Sequence, residues 1–491
     1  MTRADRRIAV GIFIVVFVTF AWFFGGGGWN QNAQFDLTRA LVERQTLHID
    51  DYRSNTGDIA WTNVSGTWHA YINKPPGVSL LAAIPYALIY PLHLPLPVSA
   101  YLVTVLTCGL CGALIPVVLY RRGVPVSLAL TIAFGTIIFP YSTMLFAHVP
   151  AALFLLLAFV WLDERPLLAG VAAGIAGICF YICIPAALVL LWTAAAKPPL
   201  SKAAARPPQS IRFIAGGVPF AILLGAYHWV CFGSPFRTSV AFSKNFTQEG
   251  LLFGVLRKPS IHALWGLTFS EYRGLFFVSP ILLLAFVGAV VMIRRRVMLR
   301  ELAIVGAISA IFFLAIASFN GWEGGFAFGP RYLLPIIPLL GLLLCHPERE
   351  RGTCAGGARM AFLPPRPHRS LATLGMTLLA ILSIAINFLA AALDAMPDAA
   401  IDRPLRDHLL PAFARGEVSL PQQAVDELIP HQLYPAGSRE SRWAAFNLGE
   451  LVLPGRASLI PIVLWMIAGS AWLVYRARQC SSGANGANDS G

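Results

Sequence analysis

Ile8-Ala-Val-Gly-Ile-Phe-Ile-Val-Val-Phe-Val-Thr-Phe-Ala-Trp-Phe-Phe24 is an unbroken apolar run. It gives way at once to four glycines (25–28) and to Trp29-Asn30-Gln31-Asn32-Ala33-Gln34-Phe35-Asp36. The hydrophilic stretch that begins there ends in Tyr71-Ile72-Asn73-Lys74-Pro75-Pro76-Gly77, after which the chain turns apolar again. A helix needs roughly 17 to 25 apolar residues to cross hydrocarbon. The pattern therefore reads as a membrane helix, a polar loop, and a return to the membrane. A cleaved leader is the competing reading of the first run, but Phe23-Phe24-Gly25 is a poor small-residue cleavage site.

Working outward, the same pattern recurs. Of 491 residues, 57% are hydrophobic and only 12% charged, which excludes an ordinary soluble globular chain. Hydropathy predicts an all-α polytopic membrane protein of about twelve transmembrane helices. They fall near 8–24, 78–93, 98–120, 124–141, 146–162, 166–193, 211–231, 275–293, 302–319, 332–345, 371–393 and 458–475. With the N-terminus inside, four segments face the exported side: 25–77, 232–274, 320–331 and 394–458. Lys197, Arg212, Arg294 to Arg296, Arg300, Arg476 and Arg478 then fall inside, as the positive-inside rule asks. Arg121 and Arg122 fall outside and violate it. The predicted span 78–93 contains Pro85 and Pro91, and a re-entrant path there would reverse every later side.

The net charge of +13 follows from these connectors, and no basic helix interleaved with aromatics points to nucleic acid. The chain divides into 1–345, which holds the first loop, a connector 346–370 rich in Arg, Gly and Pro, a C-terminal part 371–475, and a tail 476–491 expected to be disordered. Eight cysteines supply no pair within one exported loop, so no structural disulfide is expected. Cys108 and Cys111, beside Gly109 and Gly112, read as a small-residue packing face.

The candidate chemistry lies in the exported loops. Asp36, Arg39 and Glu43 form one polar stripe of an amphipathic juxtamembrane helix over 34–46, with Asn32 as its N-cap. Asp36 reads either as an ion-pair partner for Arg39 or as a carboxylate able to take a proton from a hydroxyl. Asp50 and Asp51 suit a divalent cation, a possible metal site, since hard oxygen donors favour magnesium or manganese. Asp58, in Asn55-Thr56-Gly57-Asp58, reads equally as a turn residue. Two prolines fix Lys74 at the membrane surface, where an ammonium meets a lipid phosphate or simply snorkels. In 232–274, cations outnumber acids, and Ser260 is placed to cap a short apolar helix carrying Ile261, Leu264, Trp265 and Leu267. Within Gly329-Pro330-Arg331-Tyr332-Leu333-Leu334-Pro335, Arg331 can clamp a phosphate or pair with Glu323.

Three of these stretches, Tyr71 to Gly77, Gln34 to Glu43 and Gly329 to Pro335, together resemble the GT-C superfamily of polytopic membrane glycosyltransferases. Within it the chain is similar to the protein mannosyltransferase and lipid A aminoarabinose transferase relatives (glycosyltransferase family 39-like). The resemblance covers the chain to about residue 345. It implies a GT-C fold in the bacterial inner membrane with its active site on the periplasmic side. It also implies inverting transfer of a sugar from a polyprenyl-phosphate donor, as co-substrate, to a glycan, lipid or protein acceptor. In such enzymes a lysine of the Lys-Pro-Pro motif meets the lipid phosphate, which Lys74 matches, and an acid early in the first loop acts as base. Gln31 and Asn32 stand where an Asp-Glu pair is usual. An amide accepts no proton at neutral pH, so the base falls to Asp36 or Asp50, with Asp58 as a third candidate. Arg331 joins Lys74 as a phosphate ligand, and Tyr332 is a hydrogen-bond donor. Rival readings are a transporter or flippase of a lipid-linked saccharide and a polysaccharide ligase or polymerase. A transporter is expected to carry ionisable residues within its spans; only His148 and His228 approach that here.

Overall fold

A computed structural model describes residues 3–64, 66–196, 207–243, 255–344, 369–420 and 444–486. The connector 346–370 and residues 421–443 of the last exported segment lie almost wholly outside the described residues. Helix α1 (Arg3–Ala21) and strand β1 (Phe23–Gly25) precede α2 (Trp29–Arg39). Two antiparallel strands follow, β2 (Ile59–Thr62) and β3 (His69–Ile72), paired Ile59 to Ile72 and Thr62 to His69. Next come α3 (Gly77–Ile89), α4 (Leu96–Thr104) and α5 (Leu110–Arg121), the last two joined by a wide turn into one continuous helix. Short α6 (Val126–Phe134) and α7 (Ile138–Ser142) lead to α8 (His148–Trp161), α9 (Pro166–Cys179), α10 (Cys183–Ala195) and α11 (Gln209–Phe232). Further helices are α12 (Ile261–Thr268), α13 (Leu275–Val278), α14 (Leu284–Arg295), α15 (Leu299–Ser318), α16 (Ile337–Leu343), α17 (Arg369–Ala392), a short one at Leu410–Arg415 and a final helix, Ile460–Gly486. The final helix therefore carries the chain well into the tail that was expected to be disordered.

The helical membrane class is met, but not the twelve uniform spans. Among the described residues five helices are long and apolar enough to cross alone: Leu96–Arg121, Gln209–Phe232, Leu299–Ser318, Leu374–Ala392 and Gly455–Cys480. Other expected spans are shorter or broken. The segment expected as one span over 166–193 is two helices, because Phe180 is extended (φ −149°, ψ 115°). Its ring stacks on Tyr332 and packs edge-on to His148, so packing, and no polar residue, ends the helix.

Side-chain contacts show how these elements are disposed. Arg122 pairs with Glu164 at 3.4 Å, Arg300 with Asp163 at 2.7 Å, and the Gln209 side chain donates to the Asp163 carbonyl. The ends of α5, α8 and the starts of α11 and α15 thus share one face, here called the basic face. Leu96, at the other end of a 26-residue helix about 39 Å long, belongs to the opposite face. Only residues 90–95 separate it from the end of α3, whose start lies beneath the first loop. Helix α3, 13 residues long, is not among the five helices long enough to cross alone. The break at Phe180 leaves two shorter apolar helices where one span was expected, and Arg122 lies on the same face as Arg300.

Glycine sets a close helix crossing between α9 and α11. A Cβ on Gly170 of α9 would sit 1.9 Å from the Phe213 carbonyl, and one on Gly216 of α11 would sit 2.1 Å from the Leu167 carbonyl, so these backbones touch directly. Gly112 likewise faces Ser142, as the packing-face reading of Cys108 and Cys111 expects. At the loop face, β1 pairs antiparallel with β4 (Ala445–Asn447), Phe24 opposite Phe446.

Candidate functional site

The first loop is folded and largely buried. Helix α2 begins at Trp29, with Gly28 as its N-cap, so Asn32 lies inside it and is not the predicted cap. Nine of its eleven residues, Asn30 to Thr38, are buried, so it is no helix lying in the interface plane. The following segment packs on its polar side. Thr56 donates to the Trp29 carbonyl at 2.7 Å and accepts from the Asp58 N–H at 3.1 Å; Asn32 donates to the Asn55 carbonyl at 2.7 Å. Arg39 pairs with Glu43 at 2.9 Å, and Tyr52 and Tyr86 both donate to the same carboxylate. The expected Asp36–Arg39 pair is thus displaced by Arg39–Glu43.

Lys74 meets Asp58: Nζ and Oδ2 are 3.2 Å apart. Asn73 donates to the other Asp58 oxygen at 3.2 Å and to Ser243 at 3.0 Å, and its backbone N–H reaches the Asp58 carbonyl. Gly77 seats the start of α3 against the end of α9, where a Cβ would lie 2.5 Å from backbone atoms of Ile178 and Cys179. Arg331, far away in sequence, is buried in a 3₁₀ turn (Arg331–Ile336) with its guanidinium over the rings of Phe146 and Tyr332. Both Lys74 and Arg331 act electrostatically on His148, and Asp58 acts on Arg331. Tyr332 closes the cluster, its ring 5.5 Å from that of His148.

The three candidate acids part company. Asp58 is the counterion of Lys74. Asp36 is fully buried in α2; Asn55 donates to one oxygen at 3.0 Å and the other has no protein partner. Burial drives its pKa well above the usual carboxylate range, with the Asn55 hydrogen bond and Arg39 offsetting only part of this. Asp50 is held by the Ala70 N–H at 2.7 Å and by His69 Nδ1 at 2.6 Å, with His48 Nδ1 at 3.2 Å. Burial opposes its ionisation, but Ala70 and the two imidazoles outweigh this and hold its pKa below the ordinary value. Asp51 turns away to Arg44, so Asp50 and Asp51 form no paired-carboxylate metal site.

Buried polar atoms without protein partners crowd this region: Asn30 Oδ1, Gln31 Oε1, Asp36 Oδ2, Asn55 Oδ1, Asn73 Oδ1, Arg331 Nε and both ring nitrogens of His148. Such atoms are rare in folded interiors and mark places where water or a polar ligand is bound. A small hollow of about 10 Å³, room for about one water, opens beside α2, lined by residues 25–27, Gln31, Asn32, Phe35 and Thr104. Neither Lys74 nor Arg331 lines it, so the hollow marks the Gln31–Asn32 end of the site.

Of the other loop predictions, the Ser260 cap is met: its hydroxyl accepts from the Ala263 N–H, and Ile261 and Trp265 stand exposed on α12. The Glu323–Arg331 pair is not formed. Instead the Glu323 carbonyl accepts from Arg273, which also donates to the carbonyls of Tyr272 and Gly325. Arg273 and His148 are the residues the sequence reading passed over. Arg273 looked like one loop cation among several, and His148 was weighed only as an ionisable residue near a span end. Compared with known protein families, with characterised proteins and with solved structures, the chain matches none, so its site residues carry the functional argument.

Proposed function

We propose that the chain is a polytopic membrane glycosyltransferase of the GT-C type. It moves a sugar from a polyprenyl-phosphate donor to an acceptor hydroxyl at the exported face of a bacterial inner membrane. The observation that carries this reading is that Lys74, ion-paired to Asp58, and Arg331, stacked on Tyr332 beside His148, both act electrostatically on that histidine beneath a hydrophilic loop. Two fixed cations at the edge of an apolar body suit a lipid phosphate, whose charge grows as the sugar departs. Asp36 is the base candidate, since it is the acid with a free oxygen and a raised pKa. In the inverting step the ionised form of Asp36, reached by prior loss of its proton to water, takes the proton of the acceptor hydroxyl as that oxygen bonds to the anomeric carbon. The bond from that carbon to the phosphate oxygen breaks, and polyprenyl phosphate leaves against Lys74 and Arg331. The gathering of Arg122 and Arg300 on the opposite face supports the orientation, with that face in the cytoplasm.

The test is transfer of label from polyprenyl-phosphate sugars by the chain in nanodiscs, with envelope extracts as acceptor. Loss of labelled product in Asp36→Asn and Arg331→Met, both retaining wild-type melting behaviour, is the expected outcome. Full transfer by both variants would overturn the assignment.

A further inference from the structure

The first loop carries a second constellation that the transfer scheme does not use. His48, Asp50 and His69 each turn one donor atom toward a common point, all within 4.8 Å of one another. The backbone puts them there. The Ile49 N–H bonds the Ala70 carbonyl, which lays the 48–50 segment alongside the start of β3. The two imidazoles then stack, ring centroids 4.6 Å apart, over one carboxylate. Asp50 uses Oδ1 to accept from the Ala70 N–H, which fixes the carboxylate plane and leaves Oδ2 facing both rings.

We propose that these three residues bind one divalent transition metal, zinc by preference, as a clasp between the 48–50 segment and β3. Two imidazoles and one carboxylate form a donor set suited to zinc and poor for magnesium or calcium, which want oxygen. Donors around a tetrahedral ion at about 2.0–2.1 Å lie about 3.3 Å apart. The observed separations of 3.2 Å and 2.6 Å from Oδ2 to the two Nδ1 atoms reach that value with small side-chain rotations. The buried Nδ1 of His48 forms no hydrogen bond, although it faces the carboxylate, so a metal would complete its coordination. The Ala70 N–H is the outer hydrogen bond that such a carboxylate ligand requires. The clasp is also well placed: β3 ends at Ile72, two residues before Lys74. A metal here would hold the strand that presents that lysine without touching the reacting groups. The proposal does not depend on the transferase reading.

The experiment uses the full chain, purified without a histidine tag, stripped with a chelator and titrated with zinc chloride alone in nanodiscs. Binding is followed by calorimetry and by elemental analysis after desalting. The expected result is about one zinc per chain, with a higher melting temperature on loading. Affinity should fall at least about 100-fold in His69→Ala and in Asp50→Asn. His48→Gln keeps a polar side chain and serves if those variants fold poorly; it should lose zinc equally. His93→Ala, at an exposed histidine, should bind as wild type. Absence of stoichiometric zinc in the loaded wild type, or undiminished binding in His48→Gln, would overturn the proposal.

Discussion

Removing the Lys74 ammonium separates a structural role from a functional one. In the folded chain Lys74 and Asp58 lie 3.2 Å apart with side chains only 16% and 10% exposed. Breaking a buried ion pair by deleting one partner costs about 3–5 kcal/mol, because the other charge is left uncompensated. Asp58 keeps the Asn73 amide and the field of Arg331, and the remaining exposure lets water screen it. We therefore expect Lys74→Ala to lose about 2–3 kcal/mol, below the full range. Adding Asp58→Asn removes the orphan charge, so the double variant should recover most of that loss. Transfer from a polyprenyl-phosphate sugar should behave otherwise. Loss of one group that stabilises developing charge costs about 100-fold or more in rate, and that deficit should persist in the double variant. Unfolding free energy by steric trapping in bicelles, set beside single-turnover transfer, tests both halves. Wild-type transfer in Lys74→Ala/Asp58→Asn would refute the reasoning and leave Lys74 as a counterion only.

Other consequences follow from particular contacts. The Asp36 carboxyl holds its proton in the fold at pH values where the unfolded chain, near pKa 3.9, has released it. Its contribution to stability is therefore full below the unfolded value and is lost as pH rises toward the raised folded one. Asp36→Asn should flatten that decline in a melting series from about pH 4 to 8. Gly77→Ala places a methyl 2.5 Å from backbone that cannot move aside; a loss of about 1–3 kcal/mol and weaker binding of polyprenyl phosphate are expected. Arg122→Cys should react with an impermeant maleimide from the same side as Arg300→Cys, and from the side opposite a cysteine at the exposed Trp68. Labelling of Arg122→Cys and Arg300→Cys from opposite sides would contradict the basic face.

The membrane character of the chain was legible because long apolar runs are a local property. Sidedness was not, since it is a running parity that one misjudged segment reverses. Here α3 is shorter than a span, and the segment around Phe180 is two helices where one was expected. Lys74 stood out because two prolines follow it, and Arg331 because it heads an apolar segment among glycines; that both act on His148 needed the fold. Ser260 was readable because capping depends on three residues in a row. The role of Asp58 was hidden, since its partner is reached only through the β2–β3 pairing that brings Asn73 to its carbonyl. A separate backbone bond, from the Ile49 N–H to the Ala70 carbonyl, brings His69 to Asp50, 19 positions away in sequence. Asp36 and Arg39 at i and i+3 looked like partners, but Glu43, one turn further on, competed successfully with help from two tyrosine hydroxyls.

The strand pairing of Phe23 to Gly25 with Ala445 to Asn447 bears on biogenesis. The glycine hinge that opens the first loop is pinned by a segment synthesised some 420 residues later. At about 5–20 residues per second, the ribosome needs roughly 20–80 seconds to supply that partner. During this interval α1 is threaded and the loop has crossed, while the edge at Phe24 waits unpaired. A nascent chain halted before Ala445 would thus carry every residue of the proposed centre and still lack its closing stitch. Closure of the proposed centre is then tied to completion of the polypeptide.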